Sequence, residues 1–273
     1  MTTAVHDRAT EYIQGEPRLC VDRAGEGPLL VFLHGIGGGR VNWHRQVEAM
    51  ADRFTAVAWD ARGYGDSDDY EGPLAFGDFS DDLLRLLDHF GASRAHLVGL
   101  SMGGRIALDF WQRHSERVAS LTLADTSAGS RETQDPARVA AFLAVRQKPL
   151  LEGRTPAELA PSLVEALIGP GASAAVRTEL ITSLAALHRD SYLKTLDAVT
   201  RFTDFPEYAT IDVPVLAIVG SEDRIAPPAI VEAMVAALPD ARLCRIEGVG
   251  HVSNVEAPLA FNTALAAFLR EVA

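Results

Sequence analysis

Short apolar runs alternate along this chain with longer stretches in which apolar residues recur at helical spacing. The short runs are nearly continuous, which is typical of strands buried on both faces of a sheet. These runs are Leu29–Leu33, Phe54–Trp59, Ala95–Leu100, Val118–Leu123, Val213–Val219 and Arg242–Ile246. The stretches with helical spacing are Phe79–Phe90, Met102–His114, Ala229–Leu238 and Pro258–Leu269. The alternation predicts an α/β fold in which helices cover both faces of a mostly parallel sheet.

Residues 127–206 depart from this alternation. They show only helical patterns punctuated by proline, a residue that lacks a backbone donor and therefore interrupts helices. The prolines are Pro136, Pro149, Pro156, Pro161 and Pro170. We therefore expect an all-helical insertion at 127–206, within a core formed by residues 1–126 and 207–273.

The composition fits a folded, enzyme-sized protein. The 273 residues are 48% hydrophobic, which is enough apolar material for a substantial core. The net charge of −12 repels the phosphate backbone of nucleic acids and anionic membrane surfaces. The N-terminus lacks the apolar segment of a signal peptide, and no apolar run is long enough to span a membrane. We expect a cytoplasmic protein that binds neither nucleic acid nor membrane.

The chain offers little for redox or metal chemistry. Its two cysteines, Cys20 and Cys244, each lie in a short apolar stretch typical of a strand and are expected to be buried free thiols. No H-E-x-x-H motif or Cys/His spacing indicates a metal site. The Asp60–Asp68 loop is acidic, but its spacing matches no calcium loop. We expect a structural turn there, with Asp60 paired to Arg62, and no metal.

The most informative motif is a serine flanked by glycines between a predicted strand and a predicted helix, Gly99-Leu100-Ser101-Met102-Gly103-Gly104. A sharp strand-to-helix turn strains the serine backbone and brings the residues two before and two after it together, where a Cβ would clash. The hydroxyl then projects next to a helix N-terminus, which favours developing negative charge. This context makes Ser101 a candidate nucleophile.

A candidate base and a candidate acid follow Ser101 in the chain. A serine hydroxyl needs a base to take its proton, and a carboxylate to orient that base. His251 lies in a glycine-flanked loop after the last predicted strand. Six other histidines fall in tails, on polar helical faces or within a strand, namely His6, His44, His89, His96, His114 and His188. Asp223, which follows the run ending at Val219, is our candidate acid. Its neighbour Glu222 and Asp125, after the preceding strand, are the alternatives.

Two backbone N–H groups are candidates for an oxyanion hole, the pair of donors that acyl transfer requires. One belongs to Met102, directly after the nucleophile, and the other to Ile36 in the glycine-rich segment after the first predicted strand. A nucleotide-binding interpretation of that segment fails. Arg40 stands where a Rossmann fingerprint has glycine, and the Gly-Lys-Ser/Thr ending of a Walker loop is missing.

With these motifs in order, the chain resembles the α/β-hydrolase family with a helical cap, from about Leu29 to Leu269. The resemblance rests on His34-Gly35, the Asp60–Ser67 loop, the serine motif, the Gly220–Asp223 loop and Gly250-His251. It implies an eight-stranded sheet, a lid built from residues 127–206, and a pocket between that lid and Ser101. It also implies a small-molecule substrate and no cofactor.

Within that family the chain looks closest to 3-oxoadipate enol-lactonases and small carboxylesterases, which implies cleavage of an ester or lactone through an acyl-enzyme on Ser101. Relatives that cleave C–C bonds of vinylogous diketones usually carry asparagine just before the nucleophile, where this chain has Leu100. Dehalogenases and epoxide hydrolases carry aspartate in place of Ser101, which disfavours those activities. A C–C hydrolase, a perhydrolase and a triad-bearing small-molecule receptor or signalling regulator remain as alternatives.

The predicted insertion supplies the candidate substrate contacts. The candidate pocket walls are Phe142, Leu143 and Leu167, although apolar helix residues are more often plain core. An arginine of the insertion is expected to bind a substrate carboxylate, if the substrate is an enol-lactone acid. The candidates are Arg131, Arg138 and Arg146. The sequence predicts neither the physiological substrate nor the oligomeric state.

Overall fold

An eight-stranded sheet with the order β1-β2-β4-β3-β5-β6-β7-β8 forms the framework of the protein. The computed structural model describes residues 7–126 and 135–273. The strands are β1 (Ala9–Ile13), β2 (Leu19–Ala24), β3 (Leu29–Leu33), β4 (Thr55–Trp59), β5 (Ala95–Leu100), β6 (Val118–Ala124), β7 (Val215–Gly220) and β8 (Ala241–Ile246). β2 runs antiparallel to β1 and β4, and the other neighbouring strands are parallel. The predicted mostly parallel α/β architecture is confirmed.

Helices flank the sheet between the strands. They are α1 (His44–Met50), α2 (Gly77–His89), α3 (Met102–Arg113), α4 (Pro136–Leu151), α5 (Pro156–Leu167), α6 (Ala174–Ala185), α7 (Arg189–Arg201), α8 (Pro228–Ala237), α9 (Ser253–Glu256) and α10 (Pro258–Val272). Short 3-10 turns lie at Arg40–Trp43, Ser115–Arg117 and Tyr208–Thr210. Across the two described ranges, no helix has both the length and the apolar character needed to cross a bilayer.

The edges of the sheet are where the apolar pattern is least informative. β1 is mostly exposed, and β2 carries Asp22 and Arg23 opposite it, so the pair lacks a continuous apolar run. Cys20 is a buried free thiol in β2, as expected. The burial predicted for Cys244 is wrong. This free thiol is partly exposed because β8 is an edge strand.

The core lies around the central strands. Every residue of β3, β5 and β7 is buried, and α3 packs Ile106 and Phe110 against the sheet without exposure. Each large apolar side chain buried in this way contributes about 1.5–3 kcal/mol. Because these strands are parallel, their carboxyl ends meet at one edge of the sheet, where the loops that follow them can assemble a site.

Four helices, α4 to α7, lie between β6 and β7 in the chain and are called the insertion helices below. They bear out the helical insertion expected there, although residues 127–134 lie outside the described residues. Side-chain caps on backbone N–H groups start three of them, from Asp135, Thr155 and Ser173. They are fastened to the segment around α1. Arg45 pairs with Glu179 at 2.9 Å, and Ser183 Oγ donates to Asn42 Oδ1 at 3.0 Å.

The predicted pairing of Asp60 with Arg62 is wrong. The Asp60 carboxylate contacts the guanidinium of Arg40, and Arg62 pairs with Asp82 of α2, its Nε lying 2.6 Å from Asp82 Oδ2. Both pairs join residues twenty positions apart in the chain, so local spacing could not indicate them. The loop is nevertheless a structural turn, in which Asp60 also accepts the backbone N–H of Asp66 at 3.0 Å.

Cys20, Asp60 and Asp66 bring ligand atoms within 4.8 Å of one another, a spacing compatible with a metal ion. The guanidinium of Arg40, however, contacts both carboxylates, Asp66 Oδ2 at 2.5 Å. The positive charge that balances this acidic pair is therefore a side chain of the protein itself, and we propose no metal there.

Candidate active site

Ser101 occupies a sharp turn between β5 and α3, with φ 55° and ψ −111°. This is the left-handed region that non-glycine residues rarely adopt. The two neighbouring glycines are required sterically. A Cβ on Gly99 would come within 2.3 Å of the Gly103 carbonyl carbon, and one on Gly103 would come within 2.1 Å of the Leu33 carbonyl oxygen. The strained turn expected from the sequence is therefore present, and it places Ser101 at the carboxyl edge of the sheet.

His251 and Asp223 extend a hydrogen-bonded chain from the serine. His251 Nε2 lies 2.9 Å from Ser101 Oγ, and His251 Nδ1 lies 2.8 Å from Asp223 Oδ2. The other Asp223 oxygen accepts the backbone N–H groups of Ile225 and Ala226 at 2.8 and 2.9 Å. Asp223 and His251 are only 3% and 5% exposed. The carboxylate is thus fixed in orientation and in turn fixes the imidazole.

The charge of Asp223 controls the protonation of His251. Burial alone would lower the pKa of His251, but the Coulombic attraction and hydrogen bond of Asp223 outweigh burial and raise the pKa above its ordinary value of 6.5. A base of this kind gains affinity for the proton that Ser101 would release, which is the electrostatic condition for general-base catalysis.

The alternative acids, Asp125 and Glu222, form no hydrogen bond with His251 in the described part of the chain. Asp125 is buried and accepts the N–H of Gly220 at 3.0 Å, and the N–H and hydroxyl of Ser253 at 3.0 and 2.6 Å. Burial, together with the charge of Asp223, raises the pKa of Asp125 to about 7. Glu222 is exposed and bonds to Ser221. Asp125 therefore joins the loops that follow β7 and β8, whereas the imidazole of His251 is hydrogen-bonded to Asp223.

The backbone donors predicted for an oxyanion lie beside Ser101. A Cβ on Gly35 would stand 3.3 Å from Ser101 Cβ, so the segment after β3 runs directly against the serine. Met102 is the first residue of α3, where the helix dipole favours negative charge. Within residues 7–126 and 135–273, neither the backbone N–H of Ile36 nor that of Met102 donates a hydrogen bond. Both groups therefore remain candidate donors to an oxyanion.

Sequence analysis identified the His34-Gly35 motif but assigned no role to the His34 side chain, which shapes this segment. His34 is buried, and its Nδ1 lies 2.9 Å from the carbonyl oxygen of Gly35 while its Nε2 accepts the N–H of Ala61 at 3.1 Å. These partners assign the proton to Nδ1, which then donates to Gly35. The ring ties the loop after β3 to the loop after β4. Its position directly after a strand and before a glycine run was the available signal.

A cavity of about 510 Å³ opens above Ser101, between the carboxyl edge of the sheet and the insertion helices. Of the predicted walls, Phe142 and Leu167 line it. Leu143 does not. It packs against the core instead, because successive residues of a helix point about 100° apart and Phe142 takes the cavity side of α4. The size suits a small organic molecule.

The three arginines predicted to bind a substrate carboxylate do not all lie in the described part of the cavity. Arg138 and Arg146 of α4 line the cavity, whereas Arg131 lies outside the described residues. Arg105 of α3, which sequence reasoning missed, lines it as well. Its position four residues after Ser101, one helical turn along α3, was the available signal.

The end of α5 is joined to the loop that carries His251. The backbone N–H of His251 donates to the carbonyl oxygen of Leu167 at 2.7 Å. The Glu256 carboxylate accepts the N–H of Gly169 at 2.7 Å and that of Gly250 at 3.0 Å. Close approach requires both glycines, since a Cβ on Gly250 would lie 2.3 Å from the Leu167 carbonyl oxygen. The insertion is therefore bonded to the backbone of the candidate base.

Comparison with known proteins places this chain among relatives of the same fold family. Residues 28–162 match the alpha/beta hydrolase fold family. The chain is 28% identical to 3-oxoadipate enol-lactonase 2 of Acinetobacter baylyi, over 89% of each chain. It is 30% identical to a 2-hydroxy-6-oxononadienedioate/2-hydroxy-6-oxononatrienedioate hydrolase of Burkholderia vietnamiensis, over 93% of this chain and 92% of that one.

A solved structure agrees with these relatives in fold. The thermophilic esterase of Thermogutta terrifontis superposes with a TM-score of 0.79 at 26% identity, and the match covers 97% of this chain and 99% of that one. The names of these relatives include a lactonase, an esterase and a hydrolase of oxo-dienedioates, so proteins similar to this chain act on different substrates. On the sequence match and the shared architecture together, the chain belongs to the alpha/beta hydrolase fold family.

Proposed function

We propose that the protein is a serine hydrolase that cleaves a carboxylic ester or lactone of a small molecule through an acyl-enzyme on Ser101. The observation that carries this proposal is the hydrogen-bonded chain Ser101–His251–Asp223 at the floor of the cavity. A serine placed against a buried imidazole, itself oriented by a buried carboxylate, is the arrangement that acyl transfer needs.

The reaction follows from the roles of these groups. His251 removes the proton of Ser101 as its oxygen attacks the carbonyl carbon, and Asp223 stabilises the imidazolium that forms. The N–H groups of Ile36 and Met102 donate to the oxyanion of the tetrahedral intermediate. His251 then protonates the leaving alkoxide, which departs and leaves the acyl group on Ser101. A water molecule, activated by the same imidazole, releases the acid in the second step.

C–C bond hydrolysis is the second candidate, supported by the 30% identity to the Burkholderia vietnamiensis enzyme. We rank it below ester or lactone cleavage because apolar Leu100 precedes the nucleophile and packs beside Gly35, where it offers no polar group to the substrate. Perhydrolysis and a receptor role have no separate support.

We further propose that residues 127–206 act as a cap over a core of residues 1–126 and 207–273. Support comes from the position of the insertion helices, which close the side of the cavity opposite Ser101. In this arrangement Phe142 and Leu167 would contact the substrate.

The test is steady-state hydrolysis of p-nitrophenyl acetate and butyrate by the wild type, Ser101→Ala and Ser115→Ala. We expect Ser101→Ala to lose at least about ten-thousand-fold in kcat because no other group replaces the nucleophile. Ser115, an exposed serine before β6, is the matched control and should change nothing. Mass spectrometry of the quenched wild type should show the acyl group on the peptide that contains Ser101.

An active Ser101→Ala variant would contradict the proposal. A vinylogous diketone acid measured alongside decides between the two candidates, because turnover of that compound without ester turnover would favour C–C hydrolysis.

A further inference from the structure

The cavity above Ser101 has the opposite charge from the rest of the protein. The chain as a whole carries 37 acidic and 25 basic residues. Yet four arginines line the cavity, with Asp125 as the single acidic residue among the described lining residues. The arginines are Arg105, Arg138, Arg146 and Arg224. A positive pocket in an acidic protein concentrates anions at that place.

Arg146 of α4 is the most enclosed of these cations. It is 7% exposed, and its guanidinium lies 4.1 Å from the centre of the Phe142 ring, with the Tyr192 hydroxyl beside it. Burial lowers the pKa of Arg146, and within the described residues no carboxylate forms an ion pair with it. A guanidinium has five N–H donors, and this one lines the cavity, so it is a candidate partner for an anion bound there.

Arg105 of α3 is half-buried, and it likewise lacks a carboxylate partner among the described residues. Its guanidinium donates to the carbonyl oxygen of Val199 at 3.4 Å and lies 5.7 Å from the centre of the Phe205 ring. Burial also lowers the pKa of Arg105, and the described salt bridges contain no partner for it. Arg138 is exposed to solvent, and Arg224 donates to carbonyl oxygens at the end of α5, so neither is an enclosed cation without a hydrogen-bond partner.

Arginines elsewhere in the protein show that such cations are normally paired. Arg40, Arg62 and Arg85, all partly buried, each contact at least one carboxylate. An unpaired buried charge loses hydration without compensation, which is costly. Two guanidinium groups that line one cavity without a carboxylate partner among the described residues, one buried and one half-buried, therefore favour the binding of an anion there.

The position of the two arginines relates this anion to the reaction. The charge of Arg146 is close enough to lower the pKa of His251, against the larger opposite effect of Asp223. Arg146 lies beside Tyr192 and Arg105 beside Val199, seven residues apart on α7, which corresponds to about 10 Å along the helix. The arginines thus line a short stretch of cavity that begins near the reacting groups.

We propose that the substrate carries a carboxylate, and that Arg105 and Arg146 bind it while Ser101 attacks an ester or lactone carbonyl of the same molecule. This inference rests on the proposed function and deepens it. A carboxylate on the acyl part stays with the enzyme through both steps, so we place it there. The substrate is then a half-ester or lactone acid, and hydrolysis of a half-ester of this kind releases a dicarboxylate.

The experiment compares two esters with the same leaving group, mono-4-nitrophenyl glutarate and its neutral counterpart, methyl 4-nitrophenyl glutarate. We expect the wild type to prefer the anionic ester by about ten- to a hundredfold in kcat/KM, the usual range for a hydrogen bond to a charged group. Arg146→Met and Arg105→Met should each reduce this preference, the ratio of the two kcat/KM values, at least about fivefold. Arg146→Lys should keep part of it.

The matched control is Arg201→Met, on α7 but 79% exposed in its side chain and paired with Asp197. It should leave the preference unchanged. The proposal would be overturned if the wild type hydrolysed the neutral ester as well as or better than the anionic one, and if neither methionine variant changed the ratio of the two kcat/KM values. Ser101→Ala separates the two proposals, because loss of neutral-ester turnover in that variant supports the nucleophile even when no anionic preference exists.

Calorimetric titration with glutarate provides a second measurement that does not depend on turnover. Binding by the wild type that weakens at least about fivefold in Arg146→Met supports the carboxylate site even if neither ester is hydrolysed. Absence of binding up to millimolar glutarate, with no preference between the esters, would count against it.

Discussion

The wall of the cavity that comes from the sheet and the wall that comes from the insertion helices are held in different ways. The sheet side presents Ser101, His251 and the segment around Ile36, each fixed by backbone geometry or a buried polar partner. The insertion side presents Phe142, Leu167 and other apolar helix residues, with the guanidinium of Arg146 resting on a ring. The firmly held sheet wall suits a single type of reaction, whereas the insertion wall suits selection among substrates.

This difference predicts where substitutions act. Changes on the sheet wall should lower kcat for every ester alike, because they alter groups that act on the common carbonyl. Changes on the insertion wall should alter the ratio between substrates and leave the reaction of a neutral ester nearly intact. The predictions that follow test this separation.

The largest expected effect comes from Asp223→Asn. This substitution removes the negative charge that would stabilise the imidazolium, and the new amide holds His251 in the wrong tautomer. We therefore expect kcat to fall by up to about ten-thousand-fold. The fall should be equal for the two glutarate esters, and thermal unfolding should show an intact fold.

Asp125→Asn is the matched comparison. It keeps one carbonyl oxygen for Ser253 but places an amide against the N–H of Gly220, so we expect a lower melting temperature and a much smaller loss of kcat. A loss as large as that of Asp223→Asn would show that Asp125, and not Asp223, is the acid.

A smaller effect is expected at the joint between the two walls. Glu256→Gln leaves one N–H, of Gly169 or Gly250, facing an amide donor, which costs about 1–3 kcal/mol. Because Gly250 precedes His251 directly, we expect the lost hydrogen bond to displace the imidazole, so kcat should fall about threefold to tenfold while KM for the neutral ester stays unchanged. Steady-state kinetics together with the melting temperature distinguish this from simple destabilisation, which would leave kcat of the folded fraction unaltered.

The smallest effect is a displacement of the pH profile. His251 acts as a base only when neutral, and Asp223 raises its pKa, so kcat/KM should fall on acidification with a midpoint above 6.5. Arg146→Met removes a positive charge that lowers this pKa, so the midpoint should move to higher pH. Profiles measured with the neutral ester check both statements. A midpoint that does not move would place Arg146 too far away to influence the sheet wall.

The sheet wall could be predicted from the sequence largely because its determinants are local. Glycines at fixed distances from Ser101 and loops directly after apolar runs are visible in the order of residues, and parallel strands bring their ends together. The roles assigned to these residues remain predictions until the variants are measured.

The insertion wall could not be predicted to the same degree. Whether Phe142 or Leu143 faces the cavity depends on how α4 rotates when it docks, and amphipathic spacing leaves that open. Arg105 belongs to the helix after the serine, yet only the docked α7 and the Phe205 ring show that its guanidinium is enclosed. The pairing of Asp60 with Arg40 was missed for a similar reason, since it is decided by tertiary contact.

The bond between His251 and Leu167 limits how interchangeable the insertion can be. A helical segment transplanted from a relative would have to present a carbonyl group at the end of its second helix, followed by a glycine that lets the Gly250 loop approach. Exchange of substrate range by recombination is therefore constrained at this seam, in addition to the contacts with the segment around α1. Away from these contacts, we expect the surface of the insertion to tolerate variation without disturbing the backbone of His251.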